Sequence, residues 1–193
     1  PHCTDPYDCD FMEHCWSHIP ENSVFDIANL RTEKKFDLYS KGMIRYEDIQ
    51  PLDLLNEKQQ QQVEFYIKKK DYIDKAGIKE FLKSISYPLH FLDFETFNPA
   101  VPLYDQSKPY QQIPFQYSLH YLEKKNSTLK HFEFLADPAV DPRLQLIEQL
   151  LSDTSSPGDI LTYNQGFEKG RLNELALSFP KDSKEILKRI ERI

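Results

Sequence analysis

The chain has 193 residues, of which 39% are hydrophobic and 28% are charged, and its formal net charge at pH 7 is −7. This composition excludes a disordered chain, and because no apolar stretch approaches the roughly 20 residues of a membrane-spanning helix, no membrane association is expected. The negative charge argues against a broad basic surface for nucleic acid, but it is compatible with a site built from metal-binding carboxylates.

The three cysteines, Cys3, Cys9 and Cys15, all lie in the first fifteen residues with the spacing C-x5-C-x5-C. An odd count without a secretion signal disfavours a disulfide framework and indicates a reducing compartment, so we expect the protein to be cytoplasmic. Three free thiols are one interpretation, and a zinc site is another. Zinc would need a histidine as its fourth ligand, and the candidates are His2, His14 and His18.

The chain up to residue 86 is predicted to be mainly helical. A first helix is predicted at Gln59–Lys70. Its apolar face carries Val63, Tyr66 and Ile67. A second helix is indicated by apolar residues at the i, i+3, i+4, i+7 spacing of an amphipathic helix. These residues are Ile78, Phe81, Leu82 and Ile85.

The pattern after residue 86 is typical of a mixed α/β domain. Short apolar and aromatic runs predict three strands, at Leu89–Glu95, Phe115–Glu123 and Leu129–Leu135. A fourth strand is predicted at Asp159–Asn164, after a chain-breaking Ser-Ser-Pro-Gly sequence. We therefore predict a mixed sheet of three antiparallel strands followed by a parallel strand, flanked by helices.

Two helices are predicted between and after these strands. The first opens at Asp141 and Pro142, because proline is favoured in the first turn of a helix. Its inward residues are predicted to be Leu144, Ile147, Leu150 and Leu151. The second runs from about Gly166 to Ser178 and ends before Pro180.

The last segment, Ser183–Ile193, has apolar residues at helical spacing. Neither glycine nor proline interrupts it, so the helix is expected to continue, and we interpret the chain as a fragment of a longer protein. Its basic residues, like the other basic runs of the chain, are predicted to form solvated faces. They are Lys184, Lys188, Arg189 and Arg192.

Asp93 and Glu95 are two acidic residues in an otherwise apolar strand. Side chains alternate along a strand, so both carboxylates point to the same face, roughly 6.6 Å apart along the strand. Two carboxylates there would repel each other unless a cation lies between them, and burying unpaired charge is costly. The alternatives are exposure at a sheet edge and pairing with a nearby lysine or arginine.

Glu168 is the third acidic candidate. It lies four residues before Leu172, on the inward stripe that continues through Leu175, so it is predicted to face the sheet. The alternative is a favourable charge at a helix N-terminus, paired with Arg171. Those local effects explain a glutamate in the first turn but not its inward direction, so we favour a metal site.

Two segments resemble the motifs of DnaQ-like exonucleases, which are RNase H-like enzymes of the DEDD type. FLDFET resembles the first motif, an apolar strand ending in Asp-x-Glu-Thr, and places Asp93, Glu95 and Thr96 on it. ILTYNQGFEKGRL resembles the second motif and places Asn164 and Glu168 on it. The family usually has aspartate where this chain has Glu168. Its third motif, which supplies a final aspartate, is not found in the chain.

The resemblance implies a metal-dependent nuclease that hydrolyses phosphodiester bonds in DNA or RNA, as a 3′→5′ exonuclease. The implied mechanism uses two Mg²⁺ or Mn²⁺ ions, about 3.5–4 Å apart. Asp93 would bridge both ions, and Glu95 and Glu168 would complete the oxygen ligands that such cations prefer.

Substrate contacts are expected on both sides of these carboxylates. Thr96 and Asn164 belong to the two motifs, and Asn164 alternatively braces the following glutamate or caps the turn. Phe97, Tyr104 and Tyr110 lie in a long proline-rich loop and are candidates for stacking on nucleobases. The alternative is that these aromatic residues fix the loop to the core.

The cysteine-rich start is similar to the C-terminal cysteine cluster of RecB-like nucleases, which holds a [4Fe–4S] cluster with a fourth cysteine far upstream. The resemblance implies that the three cysteines bind such a cluster, with zinc as the competing interpretation. Together the two halves resemble an uncharacterised bacterial family that joins a RecB-like tail to a DnaQ-like domain. This implies an incomplete RecB-like tail at 1–30, a helical linker at 31–86, and an incomplete nuclease domain at 87–193.

Two other functions are compatible with the same residues. One is a catalytically inactive module that keeps the nuclease fold and binds nucleic acid or protein. The glutamate in the second motif and the missing third motif leave room for it. The other is a different RNase H-like phosphoryl-transfer enzyme, such as an endonuclease.

Overall fold

A computed structural model describes Cys3 and residues 7–193, and it divides the chain into two units, Pro1–Lys75 and Ala76–Ile193. The α-helices are α1 (Met12–Cys15), α2 (Thr32–Ser40), α3 (Glu57–Ile67), α4 (Lys75–Ser84), α5 (Pro142–Asp153), α6 (Gln165–Ser178) and α7 (Ser183–Ile190). The strands are β1 (Leu89–Phe97), β2 (Ile113–Leu122), β3 (Lys130–Leu135) and β4 (Ile160–Leu161). Short 3-10 helices lie at Val24–Asp26, Tyr46–Asp48 and Leu52–Leu54. No helix in the described part of the chain is long and apolar enough to cross a membrane.

The first unit has its own apolar core. This core includes residues from both sides of residue 30, where the sequence resemblance placed the boundary between the cysteine-rich tail and the helical linker. The core residues are Val24, Ile27, Leu38, Tyr46, Ile49, Leu55 and Val63. Helix α3 begins at a capping box in which Asn56 and Gln59 bond each other's backbone amides. Only part of its predicted apolar face is buried, because Tyr66 and Ile67 are 43% and 40% exposed.

Helix α4 forms where the amphipathic spacing predicted a helix, but none of its residues is buried. Its apolar stripe is exposed to solvent, with Ile78 at 51%, Phe81 at 54% and Leu82 at 59% exposure. The helical period was therefore predicted correctly from the sequence.

The four strands form one sheet with the order β3-β2-β1-β4. Strand β2 pairs antiparallel with both β1 and β3, and β4 pairs parallel with β1. This arrangement confirms the predicted mixed α/β sheet. The β1–β4 ladder is short, because only His90 and Phe91 of β1 pair with Ile160 and Leu161. The predicted fourth strand was longer, and its last residues leave the sheet.

Helices α5, α6 and α7 cover one face of this sheet. Leu92 and Phe94 of β1 and Tyr117 and Leu119 of β2 point into the core that these helices close. The helix residues in this core are Leu146, Ile147, Leu150, Leu172, Leu175, Ala176 and Ile186. The inward stripe predicted for α6 is confirmed.

The orientation predicted for α5 is partly wrong. Ile147 and Leu150 are buried as predicted, but Leu144 is 45% exposed, and Arg143 and Leu146 are buried instead. Arg143 explains the rotation, because its guanidinium is held by hydrogen bonds to the Asp141 carboxylate and lies over aromatic rings. A buried arginine is tolerated when a carboxylate accepts its hydrogen bonds, so Arg143 can occupy an inward position of α5 at which the apolar spacing predicted a leucine.

Two cations of the last helical segment are not on a solvated face as predicted. Arg192 donates hydrogen bonds to the carbonyl oxygens of Thr154, Ser156 and Gly158, at 2.7–2.8 Å. Arg189 donates to the carbonyl oxygen of Leu151 at 3.1 Å. These bonds satisfy carbonyls that the end of α5 and the following turn leave without helical partners. This turn positions the start of β4 beside β1.

Candidate active site

Of the acidic residues predicted to act together, Asp93 and Glu95 lie near the carboxyl end of β1, and Glu168 lies in the first turn of α6, the helix that follows β4. Because these two strands are parallel, their carboxyl ends meet at the same edge of the sheet. Pairing ends at Leu161, after which the chain leaves the sheet through Thr162 and enters α6 at its N-cap, Asn164. In α/β sheets, a crevice outside the carboxyl ends of strands is the usual place for a ligand.

Asp93 and Glu95 are exposed and alternate with the buried Leu92 and Phe94. The two carboxylates therefore lie on the same side of β1, opposite the helix-covered core, as the alternation predicted. The pairing of β1 with β2 shifts register between Glu95 and Thr96. A bulge of this kind bends a strand and redirects the side chains beside it, and it is frequent next to active sites.

Glu168 lies in the first turn of α6 and is only 2% exposed. It is on the same buried stripe as Leu172, so the inward direction predicted from the sequence is observed. Arg171 does not neutralise it, because the Arg171 guanidinium pairs with Glu174 at 2.7 Å and bonds the Gln112 side chain. Among the described residues, the Glu168 Oε2 atom has no hydrogen-bond partner. A buried carboxylate oxygen without a partner is costly and calls for a bound group.

The electrostatic environment of Glu168 links it to β1. Burial raises the pKa of the Glu168 carboxyl above its ordinary value, and the negative charge of Asp93 raises it further. Its own backbone amide and the Thr162 hydroxyl act in the opposite direction and lower the pKa. The Asp93 and Glu168 carboxylates are therefore close enough to repel each other. A cation between them would remove that repulsion.

A cleft of about 520 Å³ opens beside these residues. Its walls include Asp93, Ser118, His120, Thr162 and Tyr163. The sequence predicted neither Thr162 nor Tyr163 as part of the site. Thr162 is the polar member of an otherwise apolar strand end, which is the signal that could have identified it.

The predicted substrate contacts fall into two groups. Thr96 and Phe97 are partly buried, and the Phe97 ring packs edge-on against Tyr104 and Phe115, at 6.4 and 6.0 Å between centroids. Phe97 and Tyr104 therefore fix the proline-rich loop to the domain, which is the alternative that the sequence left open. Tyr110 is 69% exposed and available for contact.

Asn164 is exposed at the N-cap of α6 and does not cap the helix through its side chain. Its carbonyl oxygen accepts a hydrogen bond from the Phe167 amide at 2.8 Å, so the backbone makes the turn. The capping role considered for its side chain is therefore not observed. The residue is exposed to solvent.

The donor set is suitable for a hard divalent cation but is smaller than predicted. Within Cys3 and residues 7–193, no three His, Cys, Asp or Glu side chains are grouped so that they could hold a metal ion. The negative charge of Asp93 acts on Glu168, and the Glu168 Oε2 atom has no hydrogen-bond partner among the described residues. Mg²⁺ is commonly held by one or two carboxylates together with water and substrate phosphates.

The cysteines do not form a metal centre within the described residues. Cys3 is partly buried, and Cys9 and Cys15 are exposed, all three as free thiols. The Cys9 amide donates a hydrogen bond to the Cys3 carbonyl oxygen at 2.8 Å. His2, one of the candidate zinc ligands, lies outside the described residues.

Comparison with known families adds an assignment for the second unit. A family described as a domain of unknown function, DUF2779, matches residues 90–193, which include β1 to β4 and the three carboxylates. The chain belongs to this family. The searches of curated proteins and of solved structures gave no match.

Proposed function

We propose that this chain carries the acidic site of a metal-dependent nuclease, which hydrolyses phosphodiester bonds in DNA or RNA. The observation that carries the proposal is the buried Glu168 carboxyl, which has an unpartnered oxygen, lies in the helix that follows β4, and has its pKa raised by the charge of Asp93 on the neighbouring strand β1. The strand order and the DnaQ-like motifs on β1 and after β4 support the same function. The 3′→5′ direction, the second ion and the contribution of Glu95 rest on the motif resemblance.

Three acidic residues would have different roles in the proposed site. Asp93 and Glu168 would hold a divalent cation, Mg²⁺ or Mn²⁺, and Glu95 would complete its surroundings. When bound, such a cation activates water and stabilises the negative charge that develops during phosphodiester hydrolysis.

Asp93 is open to the cleft, so a phosphodiester can approach it. Burial fixes the Glu168 side chain in one orientation and excludes water behind it, since Leu172 packs on the same stripe. The N-terminus of α6 favours a negative charge at Glu168, because backbone N–H groups point toward it. Tyr110 and Asn164 are exposed and remain candidate substrate contacts.

The direct test is a Mn²⁺ titration by calorimetry, followed by cleavage assays on labelled oligonucleotides with the full-length protein. Asp93→Asn and Glu168→Gln keep the side-chain shape and remove one negative charge each. We expect both variants to weaken Mn²⁺ binding at least tenfold and to abolish metal-dependent cleavage. Glu148→Gln is the matched control, because Glu148 is exposed on α5 and should change neither result.

The result that would contradict the proposal is unchanged Mn²⁺ affinity in both Asp93→Asn and Glu168→Gln. Product lengths from end-labelled substrate separate an exonuclease from an endonuclease, because an exonuclease releases short products from one end. Glu95→Gln tests the resemblance further. It should reduce cleavage if Glu95 joins the site in the full-length protein.

A non-catalytic module is the rival function. The observation that favours it is that fewer than three metal-binding side chains come together within the part of the chain that the structure describes. Such a module would bind single- or double-stranded oligonucleotide, or a protein, without Mn²⁺ dependence. Oligonucleotide binding that is equal in Mn²⁺ and in a chelator, without cleavage, would favour the rival.

The cysteine-rich start is proposed to hold an iron–sulfur cluster or zinc in the full-length protein. The hydrogen bond from the Cys9 amide to the Cys3 carbonyl oxygen, which holds the backbone of these two cysteines together, supports a shared ligand. Anaerobic iron reconstitution should give a coloured protein for a cluster. A colourless protein that contains zinc would identify the zinc site instead.

A further inference from the structure

Strand β3 is an edge strand with an exposed apolar surface. It lies at one end of the strand order, so among the described strands only β2 pairs with it. Five of its six residues are exposed. Phe132 and Leu135 are 37% and 70% exposed, and Leu129, just before the strand, is 53% exposed. An apolar edge of this kind is a template for pairing with another strand unless the protein protects it.

Two common protections of an edge strand are missing from β3. Its sequence, KHFEFL, contains no proline, and its ladder with β2 runs from Lys130 to Leu135 without a shift in register. A proline would remove a backbone donor from the edge, and a bulge would bend the strand away from a partner. The free edge is therefore regular over the whole strand and can accept a second strand.

The backbone of β3 fixes which residues can pair at the free edge. The Ala136 amide donates a hydrogen bond to the Phe115 carbonyl oxygen at 2.9 Å, and these two residues lie opposite each other when the β2–β3 register is continued. Alternate residues of an antiparallel strand bond the same neighbour, so the backbone groups of the even-numbered residues of β3 face β2. Those of the odd-numbered residues face the free edge. A second strand must therefore pair with the odd-numbered residues.

The sequence around Phe132 is complementary to itself in this geometry. When two copies of β3 pair antiparallel about a two-fold axis at Phe132, His131 lies opposite Glu133 of the second copy, and the symmetry repeats this pair. Leu129 lies opposite Leu135 in the same way. Both pairs join odd-numbered residues, as the free backbone groups require. The imidazole can donate a hydrogen bond to the carboxylate, whereas an axis at Glu133 would place two carboxylates opposite each other.

We propose that β3 pairs antiparallel with the β3 strand of a second copy of this chain and joins the two sheets into one continuous sheet. Charges beyond the strand favour the same partner, because Lys124 and Lys125 lie in the turn before β3 and Asp137 follows it. Antiparallel pairing brings the basic end of one strand to the acidic end of the other. The inference uses none of the proposed metal ligands, so it is independent of the nuclease proposal.

The test measures the mass of the full-length protein by sedimentation equilibrium over a range of concentrations, where we expect a monomer–dimer equilibrium. His131→Glu places a carboxylate opposite Glu133 in both symmetric pairs and should weaken the dimer about tenfold or more. Adding Glu133→His to His131→Glu again places an imidazole opposite a carboxylate and should restore most of the affinity. Leu135→Lys should weaken the dimer as well. Leu177→Lys, at an exposed leucine of α6, is the matched control and should not.

Phe132→Cys tests the register itself. The two copies of this position face each other in a pair without hydrogen bonds, in which the Cα atoms are about 4.5 Å apart, within the range of a disulfide. In a background of Cys3→Ser, Cys9→Ser and Cys15→Ser, Phe132→Cys should give a disulfide-linked dimer on mild oxidation. Leu177→Cys in the same background should stay monomeric on a non-reducing gel.

Each contrary outcome has a distinct meaning. A protein that is monomeric at every concentration would overturn the inference, and so would a dimer that none of the β3 variants weakens, since it would form through another surface. Oligomers that keep growing with concentration would also overturn it, because two-fold pairing closes at two copies. If Leu135→Lys weakens the dimer but the double variant at His131 and Glu133 restores nothing, the edge pairs in another register and the proposed pairing is wrong.

Discussion

Substitution of Gly158 tests how the second unit keeps β4 in place beside the candidate site. Its φ angle is +100°, in the region that favours glycine, and a Cβ atom there would overlap the backbone of Pro88, 2.7 Å from the Pro88 nitrogen. The Gly158 carbonyl oxygen also accepts a hydrogen bond from Arg192. The turn that carries this glycine leads directly into β4, so an error there displaces the strand beside the site.

The expected cost of Gly158→Ala has two parts. The left-handed backbone costs about 1–2 kcal/mol for a residue with a Cβ atom, and forcing that atom against Pro88 adds about 1–3 kcal/mol. We therefore expect the free energy of unfolding to fall by about 2–5 kcal/mol. Gly42→Ala should cost only the first part, because Gly42 has a φ of +81° and nothing within 4 Å of the added atom. Gly170→Ala should stabilise helix α6 by about 1 kcal/mol.

Urea unfolding separates these effects, because the two units carry different signals. The chain has one tryptophan, Trp16, which packs against Phe25 in the first unit, so its fluorescence reports the cost of Gly42→Ala. Far-UV circular dichroism reports Gly158→Ala and Gly170→Ala as well. The reasoning is refuted if Gly158→Ala costs no more than Gly42→Ala, since the close approach to Pro88 would then be absent.

Two further predictions concern the same unit. Burial and the positive charges of Arg192 and Arg189 hold the pKa of His90 below its ordinary value of about 6.5. As the pH falls below that value the unfolded chain takes up a proton that folded His90 does not, so stability is lost until the folded pKa is reached. His90→Gln should flatten this part of the stability–pH curve in urea titrations, and an unchanged slope would argue against it. Leu146→Ala, at a fully buried position, should cost about 2–5 kcal/mol, whereas Leu144→Ala should cost under about 1 kcal/mol. A larger cost for Leu144→Ala than for Leu146→Ala would mean that α5 is oriented as the periodicity predicted.

The sequence was most informative where periodicity alone decides the structure. Alternation along β1 placed Asp93 and Glu95 on one side, and the apolar stripe of α6 placed Glu168 toward the sheet, as the structure shows. Both results follow from fixed geometric periods of 2 and 3.6 residues. They require no knowledge of which elements pack together.

Features that depend on tertiary partners could not be predicted in the same way. The predicted orientation of α5 was partly wrong, because the Arg143 guanidinium contacts a neighbouring loop and the end of another helix, and this contact turns Arg143 inward. Arg189 and Arg192 were assigned to a solvated face, because their carbonyl acceptors lie more than thirty residues away in the chain. Thr162 was not recognised, because the cleft that it lines together with Asp93 forms only when β4 lies beside β1.

The two-residue ladder between β1 and β4 has a consequence for how the family can vary its chemistry. Pairing of β4 with β1 ends at Leu161, so the direction in which Glu168 points from the axis of α6 is set by how α6 packs on the core and not by strand register. One residue inserted within α6, between Glu168 and Leu172, would turn that carboxylate by about 100° relative to the buried stripe. A residue inserted between β4 and α6 would be taken up by the connecting loop and would leave the same angle unchanged. Length variation among relatives should therefore be absent from the first segment and tolerated in the second.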